Sequence, residues 1–170
     1  MPLTIEPARL DDANEIAELN NLFAPDGLTL RRTPTFVAER IDGYRVARDT
    51  ARDTARDTAR DTTRDADGRI LGCVAVDEYA PSLGELVSLA VAPDAQGQGL
   101  GRRLIAEAER LARARGYDEL FAVSLADTLF LAAGWVDTSI VRYPEKQARY
   151  RTISRSELSI GRKFCFARRL

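Results

Sequence analysis

At 170 residues, with an apolar fraction of 45% and a net charge of −1, the chain suits one globular domain with a sizeable core. It contains no histidine, which excludes Ser-His and Cys-His nucleophile pairs and most catalytic zinc sites; a base working near neutral pH has to be a carboxylate, a tyrosine, a water chain or a perturbed lysine. Two cysteines, Cys73 and Cys165, make no disulfide framework, no run of about 18 apolar residues predicts a membrane span, and the opening MPLTIEPARLDD lacks the basic start and apolar centre of a signal peptide, so a cytoplasmic protein with no membrane partner and no metal is expected.

LTIEPA reads as a first strand. DDANEIAELNNLF follows as a helix, with Ile16, Leu19, Leu22 and Phe23 at helical spacing and Asp11 or Asp12 as N-cap. PTFVAERI is a shorter helix with Pro34 in its first turn, and YRVAR a strand. Residues 47–65 then read ARDTARDTARDTARDTTRD, four copies of one tetrapeptide and a degraded fifth. As a helix this repeat stacks Arg on Arg at four residues, and as a strand it has no apolar face. Neither form buries enough surface to offset its ordering entropy. Removing residues 49–64 leaves YRVAR-DADG-RILGCVAV, two strands around a turn. The repeat is therefore expected to be an exposed, mobile insertion in a hairpin loop. Deleting residues 49–64 should leave melting temperature and activity nearly unchanged, as a thermal melt and an assay of the shortened chain would report.

RILGCVAVDEYA and GELVSLAV are two further strands, joined through Pro81 and Gly84. GLGRRLIAEAERLARARG is the strongest helix, with Leu100, Leu104, Ile105, Ala108 and Leu111 as its apolar stripe and Gly116 as its end. DELFAVS is a strand, DTLFLAAGW a short helix stopped by Gly134, and WVDTSIV and KFCFARRL the last strands. The order β-α-α-β-β-β-α-β-α-β-β predicts an α/β (α+β) fold: a mixed, mostly antiparallel sheet flanked by helices. Residues 142–170 carry nine Lys/Arg against two Asp/Glu, or +7, and the rest 16 against 24, or −8. A solvated basic face or an attraction for a small anion fits that tail. Its aromatics do not interleave with the charges as a nucleic-acid platform requires, so no nucleic-acid partner is expected.

The stretch APDAQGQGLGRRLIAEA, residues 92–108, carries the chemistry. It has neither GxxxxGK[ST] nor GxGxxG, but Gly97, Gly99 and Gly101 lie between a strand and the long helix. Amides from Gln96 to Arg102 can converge on one point at that helix's N-terminus, where glycine admits a phosphate and the dipole favours an anion. Arg102 and Arg103 add positive charge. The loop is built to hold a pyrophosphate.

Gln96-Gly97-Gln98-Gly99-Leu100-Gly101 matches the Q/R-x-x-G-x-G/A signature of the GNAT superfamily of N-acetyltransferases, and FLAAGW resembles that family's later helix and turn. The resemblance spans nearly the whole chain apart from the repeat. It implies a single acetyltransferase domain over residues 1–170, with acetyl-CoA as co-substrate. Its pyrophosphate would lie on Gln96, Gly97, Gln98, Gly99, Leu100, Gly101 and Arg102, and its pantetheine arm and thioester carbonyl along Leu89, Ala90 and Val91. GLTLRRTP, LGELVSLAVAP and YPEKQARY also resemble the acetyltransferase domain of bacterial N-acetylglutamate synthases, which implies that Arg31 or Arg32 pairs with a substrate carboxylate. Those synthases carry further arginines around the later helix, where LADTLFLAAGW has none, and, in longer forms, a kinase-like domain that is not expected in this chain. Glu85, on the strand feeding the loop, matches the strand glutamate that serves as base in related histone acetyltransferases. A backbone N–H near Leu89 to Val91 would meet the tetrahedral oxygen. Phe130 stands where the family often has a tyrosine that protonates the thiolate, leaving Tyr143, Tyr150, Ser124 or solvent for that step. The implied function is acetyl transfer to the primary amine of a small metabolite or amino acid, glutamate included; the alternative is a non-catalytic acyl-CoA-sensing domain. Dimers are common in similar proteins, which leaves a homodimer open. Cys73 reads as a small buried residue.

Overall fold

A computed structural model describes residues 3–26, 28–49, 68–152 and 164–170. Its elements are β1 (Leu3–Pro7), α1 (Ala13–Asn21), α2 (Pro34–Ala38), β2 (Tyr44–Asp49), β3 (Ile70–Ala80), β4 (Leu83–Val91), α3 (Leu100–Ala114), β5 (Glu119–Ser124), α4 (Asp127–Ala132), β6 (Val136–Thr138), α5 (Pro144–Thr152) and β7 (Phe164–Arg169). The strands form one sheet in the order β1-β2-β3-β4-β5-β7-β6. Every pairing is antiparallel except β4 with β5. The mixed sheet and its element order follow the sequence, with one addition: α5, absent from the predicted order, lies between β6 and β7.

Every residue of β2, and every residue of β3 from Ile70 to Val76, is buried. A strand buried at consecutive positions must be covered on both faces. Helix α3 covers one of them, burying the predicted stripe of Leu100, Leu104, Ile105, Ala108 and Leu111. Gly72 lets it approach, since a Cβ there would stand 2.8 Å from Leu104. Helix α1 packs on β3 and β4 as well.

Several local expectations change. Leu22, counted in the stripe of α1, is exposed, because α1 ends at Asn21. Asp12 flanks α1 but does not cap it: its carboxylate accepts the Arg9 amide at 2.7 Å and the buried Arg48 guanidinium at 2.6 Å. The β3–β4 hairpin turns on Pro81 and Ser82, and Gly84 lies within β4, where Tyr117 and Leu120 leave no room for a Cβ. Strand β2 extends through Asp49, which pairs with Leu3; the remainder of the repeat insertion, residues 50–64, lies outside the described residues. Among the described residues no helix is long and apolar enough to cross a membrane.

Candidate active site

The site begins where two strands part. Strands β4 and β5 pair at Leu83 with Glu119, Gly84 with Leu120 and Glu85 with Phe121. Beyond that point β4 runs on to Val91 and β5 to Ser124 without pairing to each other. A β-bulge helps β4 turn away: Cys73 pairs with Ala90 and Ala75 with Val87, so Ser88 and Leu89 together oppose Val74. Ser88 has φ 54°, the only positive φ outside glycine among the described residues. Two neighbours hold it there. The Tyr44 hydroxyl is hydrogen-bonded to Ser88 Oγ at 3.1 Å, and the Cys73 thiol donates to the Ser88 carbonyl at 3.3 Å. Burial pushes Tyr44 up to about 12 and Cys73 up to about 12, so both stay protonated at neutral pH. Cys73 is thus a structural donor and not a nucleophile. Replacing Tyr44 by Phe should cost about 1 kcal/mol in urea unfolding, because the half-buried Ser88 hydroxyl loses its partner.

The opening between the strands is a cleft of about 480 Å³, a size suited to a cofactor arm. One wall is β4 from Glu85 to Val91, and the other is Ala122 to Ser124 of β5. Its mouth is the loop from Gln96 to the start of α3. Gly97 and Gly99 have φ 75° and 78°, and Gly99 is the left-handed N-cap of α3. A Cβ at either would meet nothing within 4 Å, so the space over both is open. The first bond into the helix runs from the Arg103 amide to the Gly99 carbonyl at 3.2 Å. The amides of Leu100, Gly101 and Arg102 therefore precede the helical ladder and are available to an anion.

The predicted residues gather unevenly around this cleft. Leu89, Ala90, Val91, Gln96, Gly97, Gly99, Leu100, Gly101 and Arg102 all line it. Gln98 does not; its carboxamide donates to the Asp94 carbonyl at 3.4 Å and lines a neighbouring cavity of about 310 Å³ with Arg69 and Arg103. Arg32 reaches the cleft wall, with its guanidinium 4.4 Å over the Phe36 ring, whereas Arg31 is exposed and lies away from the lining. Asn21 fixes the backbone of Arg32 by accepting its amide and donating to its carbonyl, each at 2.8 Å.

Glu85 sits at the fork, 5% exposed, and forms an ion pair with Lys146 of α5, itself 6% exposed. Both residues line the cleft. Lys146 is the residue that sequence reasoning missed. It arrives there because Tyr79 on β3 caps α5: the Tyr79 hydroxyl accepts the amides of Glu145 and Lys146 at 3.1 and 3.4 Å and donates to the Glu145 carboxylate. The Tyr79 ring stands edge-on to Phe121, which stacks on Tyr143 at 3.7 Å.

That stack holds one of the candidate proton donors away from the cleft. Tyr143 is 1% exposed, donates to Glu119 at 2.9 Å and is pushed up past the usual tyrosine range, first by burial and then by Glu119. It does not line the cleft, whereas Ser124 does, with its hydroxyl accepting the Ala126 amide at 3.0 Å. The Tyr150 side chain lies outside the described residues. Phe130 packs between Trp135 and Phe166 at 5.0 and 5.3 Å and offers only its ring.

The Acetyltransferase (GNAT) family profile matches residues 25–130. An uncharacterized N-acetyltransferase of Chlorobaculum tepidum is 28% identical over 142 residues, which are 84% of this chain and 81% of that protein. An amino-acid acetyltransferase of Ralstonia nicotianae is 35% identical over 161 residues, 94% of this chain, and the chain spans only 32% of that relative's length. Among solved structures, N-acetylglutamate synthase from Neisseria gonorrhoeae, complexed with coenzyme A and N-acetyl-glutamate, is 27% identical with a TM-score of 0.75, covering 100% of this chain and 35% of that one.

Proposed function

The chain belongs to the GNAT acetyltransferase family, and on that premise we propose that it transfers acetyl from acetyl-CoA to the primary amine of a small metabolite or amino acid, glutamate included. One observation carries the reading. The open amides at the start of α3 adjoin a stretch of β4 whose edge β5 has left, so a single ligand can meet both. The amides would take its pyrophosphate. The edge of Leu89 to Val91, which β5 does not pair, would bond its pantetheine arm and polarise the thioester carbonyl. Arg102 at the mouth adds charge for the phosphates, and Arg32 on the wall suits an acceptor carboxylate. Glu85 would take the acceptor's proton, directly or through water, and Ser124, Tyr150 or solvent would return one to the departing thiolate. The amino-acid acetyltransferase and synthase names of the relatives support an amino-acid acceptor.

A thiol-release assay with acetyl-CoA against a panel of amino acids and polyamines tests this. Turnover on an amino acid is the expected result; binding of acetyl-CoA without turnover on any amine would reduce the chain to an acyl-CoA sensor. Gly99→Val supplies the second arm. A β-branched residue held left-handed costs roughly 1–2 kcal/mol, and its side chain enters the space over the loop. Acetyl-CoA affinity in calorimetry should fall by about tenfold or more.

A further inference from the structure

Of the 25 basic residues in the chain only two are lysines, Lys146 and Lys163. In so lysine-poor a sequence, one of the two is buried in the cleft against the candidate base. We propose that Lys146 is itself an acetyl acceptor, a self-modification site of this protein; the inference rests on reading the cleft as an acetyl-CoA site with Glu85 as base.

The place an acceptor amine has to occupy is defined by Glu85, and the primary amine bonded to Glu85 is Lys146 Nζ. The same cleft is walled by Leu89 to Val91, along which the thioester carbonyl would lie. The helix carrying Lys146 is fixed at its first turn by Tyr79 and by the Phe121–Tyr143 stack, so the amine is delivered from a rigid start. The other nucleophiles nearby do not compete. Burial holds Cys73 and Cys165 up at about 12, which leaves both as thiols.

The step balances without a further reactant. Glu85 takes one proton from the Lys146 ammonium, and the free amine attacks the thioester carbonyl carbon. An N–C bond forms and the C–S bond breaks. The second nitrogen proton, shed as the tetrahedral adduct collapses, passes to the coenzyme A thiolate, and Glu85 releases its proton to solvent. The products are Nε-acetyl-Lys146, free coenzyme A and one proton. Acetylation removes the cation from the pair, and an external amine that reaches Glu85 competes with Lys146 for the same acetyl group.

The test uses the full chain with acetyl-CoA and no added amine. Digestion after glutamate puts Lys146 and Lys163 on different peptides, since Glu145 and Glu157 flank the first. Mass spectrometry over time should find one acetyl group building on Lys146 at least about tenfold faster than on Lys163, slowing by about 10²-fold in Glu85→Gln, and slowing when an acceptor amino acid is added. Equal labelling of the two lysines, or an unchanged Lys146 rate in urea-unfolded protein, would mean uncatalysed chemistry and overturn the inference. A chain that turns over on an added amine yet leaves Lys146 unmodified when no amine is added would also overturn it, while leaving the proposed function standing. Neither thiol release nor labelling, with any amine, would remove the proposed function and this inference together.

Discussion

Glu85→Gln is expected to lower turnover at saturating amine by roughly 10²–10⁴ while leaving acetyl-CoA affinity nearly unchanged. Glu85 is the last residue at which β4 and β5 pair, so its backbone is held by neighbours on both sides, Asp77 and Phe121, and its carboxylate stands where the cleft begins. The loop amides proposed for the pyrophosphate are 11 to 17 residues further along the chain, on a different part of the cleft wall. A change of one carboxylate oxygen to an amide nitrogen keeps volume and removes basicity, so loss should fall on the proton-transfer step alone. Single-turnover kinetics with calorimetry on the same sample separates the two quantities. Unchanged turnover at saturating amine would take Glu85 out of the mechanism, and a parallel fall in acetyl-CoA affinity would make it a structural residue.

The sequence carried the site unevenly, and the reasons are physical. The β4–loop–α3 segment was legible because three constraints coincide within a few residues: a strand, glycines that the left-handed backbone at positions 97 and 99 requires, and a helix with a wide apolar stripe. Helix α5 was not, because PEKQARYRT has no apolar stripe to give it a period. Its trace was weaker: Pro144 at the first helical position with Glu145 in the first turn. What makes that polar segment a helix is a cap from Tyr79, 66 residues away in the chain, and a sequence pattern cannot report a contact of that range. The bulge at Ser88 was hidden for a related reason. A positive φ is signalled by glycine, and here a serine is held there by Tyr44 and Cys73 from neighbouring strands. Arg31 and Arg32 were indistinguishable as a dipeptide; only the two hydrogen bonds from Asn21 to the backbone of Arg32 show which one turns to the cleft.

Lys146→Met should destabilise the fold by about 3–5 kcal/mol, more than the loss of its partner would. Methionine nearly fills the volume of the lysine stem, so packing changes little. The cost arises because Glu85, on a strand and 5% exposed, cannot follow its lost partner to water. The reverse change is milder. In Glu85→Gln the lysine remains charged, but its four-carbon stem rises from the first turn of a helix and can carry the ammonium outward. The double variant Glu85→Gln, Lys146→Met buries neither charge and should regain most of the stability lost in Lys146→Met alone, so its cost falls well below the sum of the two single changes. Urea unfolding of the four proteins measures the whole cycle. If Lys146→Met lies within about 1 kcal/mol of the parent chain, the carboxylate is not confined as described, and the base at the fork is free to move with its proton.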